Sequence, residues 1–393
     1  MRVYLDHAAT TPLDEEVLQK MMPYFTEKFG NTHSQHSYGK ETAIAVDKAR
    51  KQVADALNCS PNEIYFTGSG TESDNWAIKG AAFARRDKGK HIIVSAIEHH
   101  AIINSAKWLS NNGFDVTYLP VDKYGVIKLD ELKKAIRPDT VLVSVMLANN
   151  EVGTIEPIKE VVEICHAKGI LVHSDCVQAV GAVEIDLKDL GVDLASVSAH
   201  KFYGPKGVGA LYIKNGIKID KLIVGGGQER MQRGGTTNTP AIVGMGEAIE
   251  KAVREMQKNN AYIKELRDYF VKRVTEEIHY VTYNGHPTDR LPSNANFSFE
   301  FIEGEGILML LDLGGVAVSS GSACSSGTLD PSHVLLAMGV DIVLAHGSLR
   351  FSFGKHNTKE EIDYTVDLLK KTVERLRKMS PLFTLKEGEI KNV

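Results

Sequence analysis

The sequence predicts an α/β protein: a large domain built on a mostly parallel seven-stranded sheet, followed by a smaller α+β domain. Two observations carry this. Short apolar, β-branched-rich runs alternate with amphipathic stretches through the first two thirds of the chain, and the alternation stops after Gly234–Gly235. Strands separated by helices imply parallel pairing with both sheet faces covered. The strand runs fall at 63–67, 91–95, 116–119, 140–146, 171–174, 194–198 and 208–213. Between them, 73–86, 101–112, 129–136 and 158–167 carry helical periodicity. Residues 239 to about 279 read as one long helix with Ile242, Met245, Ile249 and Val253 on a shared face. Strands at 294–301 and 348–352 and helices at 307–313 and 359–378 complete the second domain. The expected division is 13–257 for the large domain, with 1–12 and 258–393 forming the small one. From 382 onward the chain reads as a polar tail.

Composition narrows the function classes. The 393 residues are 43% hydrophobic and 24% charged, with a net charge of −4. That balance gives no global basic field for nucleic acid. No run of ~18 apolar residues suggests a membrane span, and the opening MRVYLDHAATTP lacks a signal-peptide core. A cytoplasmic location is therefore expected. The cysteines at 59, 165, 176 and 324 have no CxxC spacing, which argues against a disulfide framework and a structural zinc site.

In a doubly wound sheet, ligands sit beyond the carboxyl ends of the strands. Polar residues gather there. Lys201, in SAHKFYGPKG, follows a strand; desolvated, its amine suits a Schiff base, although a lone lysine is more often solvated. Asp175, in HSDCVQ, suits a protonated pyridine nitrogen, or else caps a helix; Gln178 lies three residues on. Gly68, Ser69, Gly70 and Thr71 precede a helix and offer amides and hydroxyls to a phosphate, or simply make a turn. His99, with His100 as competitor, is placed for ring stacking and proton transfer, or is a satisfied structural histidine. SSGSACSSGTLDPSH surrounds Cys324 with small residues typical of a loop, so this thiol reads as accessible. Cys59, Cys165 and Cys176 read as packed bystanders.

Taken in order, YLDHAATTP, FTGSGTESDN, EHH, NNEVGT, HSDCVQ, SAHKFYGPKGVGALY, GGGQERMQRGGT, GSACSSG and LRFSFGKHNT resemble the cysteine desulfurases of the NifS/IscS type. These belong to the class V aminotransferase superfamily, with the type I fold of aspartate aminotransferase. The resemblance spans residues 4 to about 379. It implies pyridoxal 5'-phosphate as cofactor, bound by the large domain, and a small domain carrying the cysteine loop. Lys201 would be the Schiff-base lysine, Asp175 the partner of the ring nitrogen and Gln178 that of the phenolic oxygen. His99 would stack on the ring and move protons. Gly70, Thr71, Ser198 and His200 would hold the phosphate, joined by Thr236 from a second subunit, which implies a homodimer. Asn150 and Arg350 would bind the substrate carboxylate, and Asn150 would also border the cofactor. Cys324 would accept sulfur as a persulfide.

The implied reaction takes sulfur from L-cysteine and leaves L-alanine. Delivery would be to an iron–sulfur scaffold protein or another acceptor, such as one serving tRNA thiolation. No resident metal is expected, though Cys324 could ligate an iron–sulfur cluster transiently. TGSGTE stands where TSGGTE or TSGATE is usual, Cys176 where alanine is common, and Ala199 where glycine is common; all are small-for-small changes. Rival readings are a selenocysteine lyase, another lyase or aminotransferase, and a non-catalytic scaffold.

Overall fold

Residues with apolar side chains on both faces of a strand need cover on both sides, and the large sheet supplies such strands at its centre. In the computed structural model, which describes residues 1–320 and 330–384, seven strands form this sheet. Their spatial order is Ile64–Thr67, Gly209–Ile213, Leu194–Ser198, Leu171–Asp175, Thr140–Ser144, His91–Ser95 and Asp115–Leu119. All neighbours are parallel except Gly209–Ile213, which runs antiparallel to both of its neighbours. Side-chain alternation splits the core in two. Leu142, Leu171 and Leu194 meet Trp76 and Ile102 on one face, while Val143, Val172 and Ala195 meet Val161 and Ile249 on the other.

The expected strand ends hold to within two residues, and the main difference lies at the helices. The helix expected from 73 begins one turn earlier, as Gly70–Ala84 capped by Ser69. The structure also adds a 20-residue helix, Ser37–Ala56, packed on the long helix. Its buried face is Thr42, Ala45, Val46, Ala49 and Val53, small residues that permit close approach.

The long helix Thr239–Glu277 serves two cores. Ile242, Met245 and Ile249 enter the large-sheet core, and Ile263, Leu266, Phe270 and Val274 enter a second core with Phe297, Phe351 and Ile362. That second core lies on an antiparallel sheet ordered Ser319–Ser320, Ser348–Ser352, Asn294–Phe299, Val281–Asn284. The N-terminus is stitched to it: Val3–Tyr4 pairs in parallel with Val316–Ala317, and Asp6 bridges to Ser352. No helix among the described residues is long and apolar enough to cross a membrane.

Glu156 shows what burial does to a carboxyl here. It is 4% exposed; Oε2 accepts the Ile127 amide at 3.0 Å, and Oε1 has no partner among the described residues. Burial pushes its pKa up to about 8. Unfolded, the side chain titrates near 4.3. Between those values the folded chain holds a proton that the unfolded chain lacks, so stability falls as pH rises through this window. Glu156→Gln stays neutral throughout. Relative to wild type it should gain about 1–3 kcal/mol between pH 5 and pH 8, read by denaturant melts. An equal difference at both pH values would contradict this.

Candidate active site

Five strand-end segments converge on a cavity of about 410 Å³, within the usual range for small-molecule sites. The strand Leu194–Ser198 runs straight into a single 3₁₀ turn, Ala199–Lys201, which carries Lys201 over the sheet end. Its Nζ donates to the carbonyls of Ala8 at 2.5 Å and Ala9 at 2.8 Å. Gln178 Nε2 donates to the same Ala8 carbonyl at 2.9 Å. The N-terminal segment therefore forms a wall of the site and holds the amine in place.

Asp175 closes the next strand, Leu171–Asp175, and is 4% exposed. Its Oδ1 accepts the Val177 amide at 2.8 Å. Burial lifts its pKa to about 6, opposed by that amide and by Lys201. An aspartate so placed is a ready partner for a cation, and the local turn and the ligand role are compatible.

The Gly70–Ala84 helix points its N-terminus at the cavity wall that also holds Ser198 and His200. Ser69 commits its hydroxyl to the Glu72 amide and its carbonyl to that of Ser73. The first-turn amides of Gly70 and Thr71 have no intrahelical acceptor, which is the usual setting for an anion. A Cβ on residue 70 would come within 2.9 Å of Val177 Cγ2 and 3.2 Å of Ser198 Cβ, so only glycine lets this turn sit so close. Glu72 braces the turn from behind: Oε2 accepts the Gly68 amide, and both oxygens pair with Arg233.

Two histidines border the cavity as neutral rings. His99 caps the helix His100–Ser110, with Nδ1 accepting the Ala101 amide at 3.1 Å. Its pKa falls to about 4, chiefly from burial and then from Lys201. The structural and functional readings of His99 thus coexist, since the ring caps a helix and also lines the cavity. His200 likewise falls to about 4 through burial, then Lys201, and its Nδ1 lies 3.1 Å from Thr10 Oγ1.

Arg350, 3% exposed, comes from the strand Ser348–Ser352 of the four-stranded sheet. Nη2 donates to Asp6 Oδ1 at 2.9 Å and Nη1 to the Asn150 carbonyl at 3.2 Å. Its Nε is buried and has no acceptor among the described residues. Asp6 and the carbonyls of Ala8 and Ala9 went unassigned in the sequence reading, although YLDHAATTP contains them. Asp74, which lines the same cavity, was also passed over.

Thr236 does not line this cavity. It is exposed and borders a separate depression with Gly68, Gln228 and Arg233. Cys324 lies outside the described residues, but both flanks of its segment are anchored nearby. Ser319 pairs with Arg350 across the small sheet and lines the cavity. On the far side, Ser332 donates to Glu151, and His333 Nε2 lies 2.9 Å from the Glu98 carbonyl. Cys59, Cys165 and Cys176 are buried free thiols, each pushed up to about 12 by burial.

Chemically, the cavity offers an amine, a buried carboxylate and a helix-end anion cradle. Beside them stand neutral imidazoles and a guanidinium. Residues 3–365 match the aminotransferase class-V family. A protein named cysteine desulfurase IscS, from Methanosarcina thermophila, is 54% identical over 380 residues, covering 97% of this chain and 94% of that one. A solved structure described as a NifS-like protein superposes with a TM-score of 0.90 at 43% identity, covering 96% of this chain and all of the other. Another, described as SspA in complex with cysteine, gives 0.80 at 35% identity, covering 91% of this chain and all of the other.

Proposed function

The chain belongs to the aminotransferase class-V family, and from that premise we propose its activity: it is a pyridoxal-phosphate-dependent cysteine desulfurase that converts L-cysteine to L-alanine and holds the sulfur on Cys324. One observation carries the reading. Lys201 and Asp175 enter a single cavity from adjacent strand ends, opposite a glycine-opened helix N-terminus. Those groups fit pyridoxal phosphate: the Gly70 and Thr71 amides, Ser198 and His200 for the phosphate, Asp175 for the ring nitrogen, Gln178 for the phenolic oxygen, and His99 for the ring face. Bound there, the cofactor supplies an electron sink for bonds broken at the substrate's Cα and Cβ.

The chain's own residues do the rest. Arg350 and the neighbouring Asn150 hold the substrate carboxylate, with Asp6 keeping the guanidinium oriented. Lys201 moves the proton at Cα. The neutral His99 ring, whose Nδ1 accepts the Ala101 amide, presents Nε2–H to the site as a donor, and the thiol, with an ordinary pKa near 8.5, reacts through its thiolate fraction. The Cys324 thiolate then attacks the substrate sulfur. An S–S bond forms, the Cβ–S bond breaks, and its electron pair stays with the carbon fragment that leaves as alanine. No outside oxidant is required.

Several finer points belong to the same proposal. Thr236, exposed on a glycine-rich loop, completes the phosphate cradle of a second copy, so the working form is a homodimer. The two domains divide at 257/258, with residues 1–12 joining the small one. The enzyme works in the cytoplasm and hands sulfur to an iron–sulfur scaffold protein or another acceptor. Cysteine is favoured over selenocysteine as substrate by the name of the cysteine-bound neighbour.

Borohydride reduction of the cofactor-loaded protein, followed by peptide mapping, tests the cofactor assignment. The reduced cofactor should be found on the Lys201 peptide; its recovery on another lysine would overturn the assignment. Arg350→Lys keeps the charge and loses the planar fork. It should raise KM for L-cysteine at least ~10-fold while leaving cofactor absorbance unchanged. An unchanged KM would remove Arg350 from substrate binding.

A further inference from the structure

Between the Gly70–Ala84 helix and the sheet lies a buried polar chain that the activity above does not use. Asp74 is 1% exposed and lines the cavity together with Asp175. Its Oδ1 has no hydrogen-bond partner among the described residues, the nearest basic atom being His173 Nε2 at 3.8 Å. His173 itself is fully buried, with Nε2 3.0 Å from Ser196 Oγ and Nδ1 2.9 Å from Ser144 Oγ. Burial pushes that imidazole down to about 3, so it is neutral and offers Asp74 no positive charge.

Two neighbouring buried carboxyls oppose each other's ionisation, because each raises the other's cost of carrying charge. The surroundings decide which one keeps the proton. The anion of Asp175 is favoured by the Val177 amide and by Lys201. The anion of Asp74 is opposed first by burial, then by Asp175 and Glu98, and is favoured only by the Ser196 hydroxyl. Glu98 is also driven toward its neutral form by burial. The groups that face Asp74 most closely from the packed elements are Asp175, the neutral His173, Ser196 and Glu98, while Lys201 and Arg350 line the same cavity.

We propose that Asp74 is a positioning residue for this site, a neutral carboxylic acid that leaves Asp175 as the single negative charge of the pair. The inference rests on the reading above for the role of Asp175 toward the ring nitrogen. An ionised Asp74 would drive Asp175 toward its own neutral form and strip that nitrogen of its counter-charge. As a neutral acid, Asp74 shares the cavity wall with Asp175 without adding a second negative charge.

The test uses protein free of cofactor, labelled with ¹³C at aspartate carboxyls and titrated by NMR. Asp74→Asn and Asp175→Asn assign the two resonances by their disappearance. The Asp74 resonance should keep a protonated shift from pH 6 to 9. In Asp74→Asn, a neutral-for-neutral change, the Asp175 midpoint should stay within about half a unit, and pyridoxal phosphate affinity within about threefold. An ionised Asp74 shift at pH 7.5 would overturn the proposal. So would a drop of a unit or more in the Asp175 midpoint on Asp74→Asn, or a larger loss of affinity. Should Asp74→Asn not fold, Ser196→Ala serves, because deleting the one group that favours the Asp74 anion must leave the Asp175 midpoint in place. A protein that never binds pyridoxal phosphate would defeat the functional reading and leave the cofactor-free titration to stand or fall alone.

Discussion

Lys201→Ala is expected to abolish alanine formation from L-cysteine, with a loss of at least ~10⁴-fold. Proton transfer by one positioned side chain accounts for about 10²–10⁴-fold alone, and this amine is also asked to hold the cofactor covalently. Among the described residues it is the only lysine lining the cavity. Its anchor on the Ala8 and Ala9 carbonyls fixes it over the sheet end, so no neighbouring lysine substitutes without rebuilding the N-terminal wall. The variant should remain folded, because trimming this side chain to a methyl group leaves the strand Leu194–Ser198 and its register untouched. Measured by alanine release, a rate within tenfold of wild type would remove Lys201 from the chemistry.

Cys324→Ala is expected to show the second largest effect, and a different one. Cofactor and substrate binding should persist, since the cavity walls are otherwise intact. Alanine formation should fall at least ~100-fold, because the nucleophile that takes the sulfur is gone. Cys59→Ala, Cys165→Ala and Cys176→Ala should each keep most of the activity. Those thiols are buried and pushed far above neutral pH, so they supply no thiolate. A single-turnover alanine assay separates the four variants. Wild-type alanine release by Cys324→Ala would favour a β-lyase or a selenocysteine-specific enzyme.

Much of the cavity was legible because a doubly wound sheet places its ligand at the strand ends, and those ends could be read from β-branched runs. Lys201, Asp175, His99 and Asn150 all follow such runs, and the fold brings them to one cavity. Less legible was anything that depends on distant chain segments meeting. The Asp6–Arg350 pair joins residues 344 apart in sequence, and no local pattern announces it. Asp74 was hidden by one helical turn. Read as starting at 73, the helix makes Asp74 an ordinary acidic residue near its N-terminus; starting at Gly70, it sets Asp74 one turn from the helix start and on the cavity wall. The Ser37–Ala56 helix escaped because its buried face is largely small residues, with glycine, threonine and three alanines beside two valines, which gives weak contrast between faces. Thr236 shows a different limit: its assignment to a second subunit's phosphate site rests on the resemblance, and in the single chain it stands exposed, away from this cavity.

The most direct measurement is a single turnover with L-cysteine carrying isotopically heavy sulfur, following alanine and the mass of the Cys324 peptide together. One alanine should appear for each heavy sulfur atom added to that peptide, and reduction should release the sulfur as sulfide. Alanine formed with no sulfur gained at Cys324, or heavy sulfur recovered on Cys59, Cys165 or Cys176 instead, would contradict the account.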